Sequence, residues 1–367
     1  MKNQCVYVYK KNNRVFSYFA DEDGKGCYND NEEQDTQTEI LVDVIINSAK
    51  KAKDTSDTVR TVYQEKPTTT PGKEISTEIE KTLSITQDDY GDSYYFRGNV
   101  IDNFVNYAGM CWRVVRIEGD KSTKMILASE NICNDVNVTT SSGIARESAI
   151  YGYSNFAKKH NDYVSSPSDN EISARTKLNN WYEEKIANNK EITEYTKSLL
   201  KTDDWCIGDR VSAYYNENSS LKVGDANDLS LRKYYFYYSA YKRTQIDLNA
   251  SLKCDGSKEK SGEIDENIVG MLNVDEVVFA GATGAPNSTY YLNKNAMINM
   301  INWWTLSPRN SRNGYDTAIA ISGSGALAGD QVYLTYSAIR PTITLRADTK
   351  ISSGNGTVNN AYTITTN

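Results

Sequence analysis

The side chains able to do chemistry in this 367-residue chain are quickly bounded: it has one histidine, His160, and six cysteines. A Ser-His-Asp or Cys-His apparatus needs a histidine within reach of a nucleophile. His160 sits in the polar stretch "FAKKHNDYV", no Gly-x-Ser-x-Gly elbow occurs, and the residue reads as a solvent-exposed loop histidine. A single histidine and the absence of any Cys-x-x-Cys pair speak against zinc. The acidic stretches "DEDGKGCYND" and "NVDEVV" do not follow the spacing of a calcium loop with its distant glutamate. A structural Ca²⁺ is the one metal the sequence leaves open, and no other cofactor is expected. Asp and Glu are abundant, but nothing singles out a pair for glycoside hydrolysis, and abundance usually means a solvated surface. No catalytic residue is therefore assigned.

Binding is the other chemistry, and one stretch concentrates the residue types for it: "INWWTLSPRNSRNGYDTAIAISGSGALAGDQVYLTYSAIRPTITL", residues 301–345. Extended, Trp303 and Trp304 alternate, so one is expected in the core and the other over the neighbouring loop. "SPRNSRNGYD" reads as a loop with Asn-Gly at a turn position. "TAIAIS" and "QVYLTYS" read as hairpin arms, with Ala318, Ala320 and Ser322 on the face opposite Ile319 and Ile321. The expected binding face spans residues 305–337 and carries Arg309, Asn310, Arg312, Asn313, Tyr315, Asp316, Tyr333 and Tyr336. Tyr and Arg supply contact area at small entropic cost. Arg340-Pro341 is assigned to architecture, the arginine meeting a carboxylate or carbonyl as the last strand enters the core.

The elements that must hold such a face are mostly strands. Tyrosine is over-used, 27 against 7 phenylalanines, which suits secreted β-rich proteins and adhesive surfaces. Residues 1–30 suggest short strands with a Lys-Asn-Asn-Arg turn. Ile40, Leu41, Val44, Ile45, Ala49 and Ala52 fall at helical spacing behind a Thr36 or Thr38 cap. "EKPTTTPGKEISTEIEKT" reads as a linker. The division expected is a small hairpin-plus-helix module over 1–65, a linker over 66–87 and a main domain over 88–367. Within the main domain Leu178, Trp181, Tyr182 and Ile186 mark a helix face. "IVGMLNVDEVVFAGATG" reads as a buried strand pair or a strand entering a turn, with Asp275 or Glu276 in a helix cap or turn beside a buried strand.

The even cysteine count permits three bridges, and the sequence leaves fifteen connectivities open. "CWRVVRIEGDKSTKMILASENIC" reads as strand, Glu-Gly-Asp-Lys turn, strand, which brings Cys111 to Cys133. Cys5 with Cys27 would bracket the first hairpin, and Cys206 with Cys254 would close the loop-rich middle. Bridges persist in oxidising compartments, so the expected location is extracellular. A net charge of −7 without a long basic run argues against a nucleic-acid partner. No apolar run approaches the roughly eighteen residues of a membrane span. No signal-peptide pattern follows Met1; export stays open, because Met1 can be the start of a truncated chain.

Six segments in one order carry a resemblance: "YYFRGNVIDNFVNYAGMCWRVVRI", "LNNWYEE", "VGMLNVDEVVFAG", "YYLN", "WWTLSP" and "IRPTITLRADTKISSGNGTVNNAYTI". Over 88–367 the chain resembles a group of surface proteins of Gram-positive gut bacteria, usually tethered by an N-terminal membrane helix. Their C-terminal half looks like the C-type-lectin-like fold shared with formylglycine-generating enzymes and the variable proteins of diversity-generating retroelements. The resemblance implies an α+β fold, with a C-type-lectin-like main domain of twisted antiparallel sheets and a few helices. The reactive cysteine pair of the formylglycine-generating enzymes is not carried over, because the last cysteine, Cys254, precedes "NWWTLSP". The lectin signatures Glu-Pro-Asn and Trp-Asn-Asp are absent, and "APN" at 285–287 lacks the acidic ligand.

The function expected is thus non-enzymatic recognition, with a host or neighbouring-cell glycan or protein as partner. The alternatives are a structural subunit of a cell-envelope or pilus-like assembly, and a carbohydrate-active or protein-modifying enzyme.

Overall fold

The structure is a computed structural model describing residues 5–11, 14–20, 26–27, 38–50, 61–64, 82–135, 174–206, 210–215, 221–223, 235–254, 258–259, 268–287, 289–293, 302–312, 315–331 and 337–366. Its contacts divide the chain into two units, Met1–Thr38 and Glu39–Asn367. The smaller holds an antiparallel hairpin, Cys5–Lys11 with Arg14–Ala20, and Gly26–Cys27 pairs with its second arm. Cys5 and Cys27 thus flank one strand on the two outer strands; their side chains, and the bridge expected between them, lie outside the described residues.

Helix α1 (Leu41–Lys50) belongs to the larger unit, although the sequence grouped it with the hairpin. It buries Leu41, Val42, Ile45 and Ile46, one step round from the expected stripe at 40, 41, 44 and 45. Ile40 is exposed in a short strand that pairs with Lys350–Ser353. The stretch expected as linker also ends in structure: β1 (Thr82–Asp88) buries Leu83 and pairs along its length with β2 (Gly91–Phe96). Leu83 and Ile85 inside a threonine-rich stretch have an apolar neighbour to cover, which outweighs its loop-like composition.

The sheet continues through β3 (Phe104–Tyr107), β4 (Met110–Ile117) and β5 (Thr123–Ser129). Every residue of β4 and β5 is buried, as expected of central strands covered on both faces. Their turn closes as foreseen, with Lys121 N donating to Glu118 O at 2.9 Å and Lys121 at φ 72°. The bridge between Cys111 and Cys133 forms across the outer end of the hairpin. Helix α2 (Ala174–Tyr182) runs on through a wider turn, Glu183–Ala187, and buries Leu178, Tyr182 and Ile186 as the sequence anticipated.

A second, six-stranded antiparallel sheet contains β6 (Arg210–Tyr215), β7 (Tyr235–Tyr238), β8 (Trp303–Arg312), β9 (Tyr315–Ile321) and β10 (Leu327–Gln331) in that order, with Leu221–Val223 on the outer side of β6. Between β7 and β8 the chain forms α3 (Val274–Ala280). This corrects the strand reading of "NVDEVVFAG". Asn273 caps the helix by accepting from Glu276 N, and the Glu276 carboxylate answers by accepting from Asn273 N. That reciprocal box makes a helix start out of residues whose β-branched run suggests a strand.

The chain ends on β11 (Thr342–Leu345), β12 (Lys350–Ser353) and β13 (Tyr362–Ile364), which complete the first sheet. β11 pairs with β5, and β13 lies parallel to β3. Arg340 enters this core as expected, donating to the carbonyls of Leu292 at 3.0 Å and Leu127 at 3.4 Å. The molecule is α+β, mostly sheet with few helices. No helix among the described residues is long and apolar enough to cross a membrane.

Candidate functional site

Four backbone features bring six charged residues together. The β4–β5 hairpin supplies Arg116, Glu118 and Lys124; the β1–β2 turn supplies Asp88; the stretch before Trp205 supplies Asp203; and the first turn of α3 supplies Glu276. Arg116 pairs with Asp88 at 2.8 Å, Glu118 at 2.6 Å and Glu276 at 3.0 Å. Lys124 Nζ pairs with Asp203 at 2.9 Å, Glu118 at 3.1 Å and Glu276 at 3.2 Å. Glu118 Oε1 and Glu276 Oε1 are therefore each shared between the two cations. Lys201 joins from the outside, meeting Asp120 at 2.6 Å and Glu118 at 3.4 Å.

All six are almost wholly withdrawn from water. Charges so placed persist only when paired, because desolvation costs several kcal/mol per ion on the order of. The pairing decides each protonation state. Burial pushes the Glu118 carboxyl up, but Lys124, Arg116 and Lys201 outweigh it and hold the group below its ordinary value. Glu276 is likewise held down by Lys124 and Arg116 against its burial. Lys124 is held above the ordinary lysine value, burial being overcome by Asp203, Glu118 and Glu276. Asp203 goes the other way: burial and then the Glu118 charge push its carboxyl up, against the pull of Lys124. Among the described residues no arginine touches it.

A small cleft opens over this cluster, with Asp203, Lys124, Glu118, Trp205 and Tyr90 among its lining. Its cavity is about 20 Å³, room for about one water molecule. The Cys206–Cys254 bridge stands at its rim, which is the second pairing anticipated from the sequence. Trp205 lies over Lys124, with Nζ 4.9 Å from the ring centroid.

The face proposed from the sequence is placed in pieces. Arg309 is half-buried, stacked 4.9 Å from the Tyr241 ring and lying against Gly329 of β10. Asn310 is 7 % exposed and accepts a hydrogen bond from Thr317. Arg312, Tyr315 and Asp316 are placed by backbone register alone, and Asn313, Tyr333 and Tyr336 lie outside the described residues. Register puts Asn310 opposite Tyr237 and Thr317, Arg312 opposite Tyr315, and Tyr215 opposite Tyr235. Paired residues share a face and successive ones alternate. Tyr215, Tyr235, Tyr237, Asn310, Arg312 and Tyr315 thus share one face; Asp316, with Ser311, takes the other. Both Trp303 and Trp304 are buried, at 1 % and 3 %, so neither shields an outer loop. Ala318 to Ile321 are buried on both faces as well: the root of this hairpin is core.

No family model, curated protein or solved structure matches this chain.

Among the described residues no group of three or more His, Cys, Asp or Glu side chains is arranged to hold a metal ion. Of the acidic stretch weighed for calcium, Glu276 is engaged as above and Asp275 takes Arg243 through both oxygens, at 2.9 and 2.6 Å. His160 lies outside the described residues. The ion cluster itself escaped the sequence reading. Its signal was there: Arg113 and Arg116 interrupt the apolar run "MCWRVVRI", and Lys124 opens "TKMILAS". A charge inside a run too apolar for a half-exposed strand must find a buried partner.

Proposed function

We propose that this chain is an extracellular recognition protein that binds a glycan or protein partner without transforming it. The binding surface is the outer end of the six-stranded sheet. One observation carries the reading: strand register gathers Tyr215, Tyr235, Tyr237, Arg312 and Tyr315 on a single face, around Asn310, which is itself buried at 7 % exposure. Tyrosine and arginine dominate contact surfaces because each offers a large, rigid area with a polar end. The root of that sheet is packed on both sides, through Trp303, Trp304 and Ile319, so the face is carried on a rigid support. The two bridges favour an oxidising compartment. The C-type-lectin-like form of the main unit is part of this proposal and rests on the order of the six sequence segments.

The test is a glycan array and a cell-surface binding assay with the wild type and an Arg312→Ala, Tyr237→Ala double variant. The variant is expected to lose binding at least tenfold while keeping its melting temperature. Equal binding by both proteins removes this face from the function.

A further inference from the structure

We propose that Lys124 and Asp203 become joined by an amide bond that the folded protein forms on itself. Lys124 Nζ stands 2.9 Å from Asp203 Oδ2, with both side chains nearly sealed from solvent, at 4 % and 2 %. The amine nitrogen is therefore already in contact with the carboxyl group whose carbon it would attack.

Three features separate this contact from an ordinary buried ion pair. First, Asp203 is the cluster carboxylate with no arginine partner among the described residues. Arg116 takes Asp88, Glu118 and Glu276, and an arginine would hold the carboxylate ionised and unreactive. Second, both Asp203 oxygens accept hydrogen bonds from neutral donors: Thr344 Oγ1 donates to Oδ2 at 2.8 Å, and Asp204 N to Oδ1 at 2.8 Å. Such donors stabilise the oxygen charge that develops when the carbonyl carbon is attacked. Third, a further buried carboxylate, Glu118 Oε1, lies 3.1 Å from the same amine and is placed to carry protons. Burial pushes the Asp203 carboxyl toward the neutral acid, which is the electrophile; Lys124 is held as the ammonium and Glu118 as the carboxylate, so the proton transfer that frees the amine is the slow step.

The step balances without any co-reactant. Lys124 starts as the ammonium and Asp203 as the carboxylate. Glu118 accepts a proton from Nζ and hands it to Asp203, which becomes the acid. The Nζ lone pair forms a bond to Cγ, Glu118 takes a second proton from the nitrogen, the C–O bond to the hydroxyl breaks, and that second proton leaves with the hydroxyl as water. Two protons pass from nitrogen to the departing oxygen, Glu118 is regenerated, and one cation and one anion are replaced by a neutral amide. In free solution the reverse reaction dominates. Here effective molarity and exclusion of water favour closure, and the small cleft beside the pair gives the water a way out.

The experiment is intact-mass spectrometry of the full chain after reduction and alkylation, followed by a tryptic peptide map. The expected wild-type mass falls short of the sequence mass by one water. The map should contain a branched peptide joining the Lys124 and Asp203 segments, with no cleavage after Lys124. Lys124→Arg and Asp203→Ala should each restore the full mass, and Glu118→Gln should accumulate the unjoined form. A wild type of full mass, cleaved normally after Lys124, overturns the proposal without reference to any variant. So does a water deficit that survives in Asp203→Ala, because the loss would then lie elsewhere in the chain.

Discussion

Gly270 lies flat against the indole of Trp205. A Cβ at position 270 would come within 2.4 Å of Trp205 Cδ2 and 2.6 Å of Cε2 and Cε3. The ring has little room to retreat, since it is 1 % exposed and has Lys124 Nζ 4.9 Å from its centroid. Gly270 pairs with Thr342 of β11, so its backbone cannot yield either. Gly270→Ala is expected to cost about 1–3 kcal/mol, the usual penalty of overpacking. Urea unfolding should show a lower midpoint at unchanged slope; an unchanged midpoint would mean that the ring does not cover this glycine.

The two observed bridges should differ in worth. Cys111–Cys133 spans 22 residues and Cys206–Cys254 spans 48. Chain-entropy arguments put them at about 3 and about 4 kcal/mol. Alanine pairs at each site, compared by denaturant unfolding, should follow that order. Thiol titration of the unfolded, unreduced protein should find these four cysteines unreactive.

Glu276 does two jobs that substitution can separate. Asn273→Ala removes the side-chain cap of α3 and should cost about 1 kcal/mol. Glu276→Ala removes that helix contact and also leaves Arg116 and Lys124 short of a carboxylate inside the core. Breaking a buried pair by deleting one partner costs about 3–5 kcal/mol. Should the two variants unfold at the same midpoint, the ion cluster does not bear on stability.

Stability should fall in acid for a reason that one substitution can isolate. Glu118 and Glu276 are held below the ordinary value of 4.5 in the folded state. A carboxyl depressed on folding stabilises above its unfolded pKa, and that contribution is lost as pH falls through the folded one. The melting temperature should therefore drop as pH falls below 4.5, the ordinary glutamate value. Glu118→Gln should lower stability at neutral pH and flatten the acid limb. An acid limb as steep as that of the wild type would place the titrating groups elsewhere.

Local signals in this chain were read correctly where a few consecutive residues carry the whole cause. The Glu-Gly-Asp-Lys turn between two apolar arms brings Cys111 to Cys133, because a hairpin's register follows from its turn. The spacing of Leu178, Tyr182 and Ile186 marks a helix because one face must find cover. Misreading began where two local signals compete. Val274, Val277 and Val278 favour a strand, and the Asn273–Glu276 box, which decides for a helix, is a matter of two hydrogen bonds. The same holds for residues 82–87, whose composition suits a linker until Leu83 meets an apolar surface.

By itself the sequence determined the mixed, strand-rich character, the Cys111–Cys133 hairpin bridge and the inward Arg340, since each follows from period, turn chemistry or a charge amid apolar neighbours. Which remaining cysteines pair, Cys206 with Cys254, was decided by the tertiary structure. Only the tertiary structure decided which carboxylates meet Arg116 and Lys124. Residues 88, 118, 203 and 276 share no period, and they converge because a turn, a hairpin, a loop and a helix start end at one point. The sharing of a sheet face by Tyr237, Arg312 and Tyr315 is of the same kind. Alternation along one strand is local, but the register that aligns separate strands is set by the packed core at their roots.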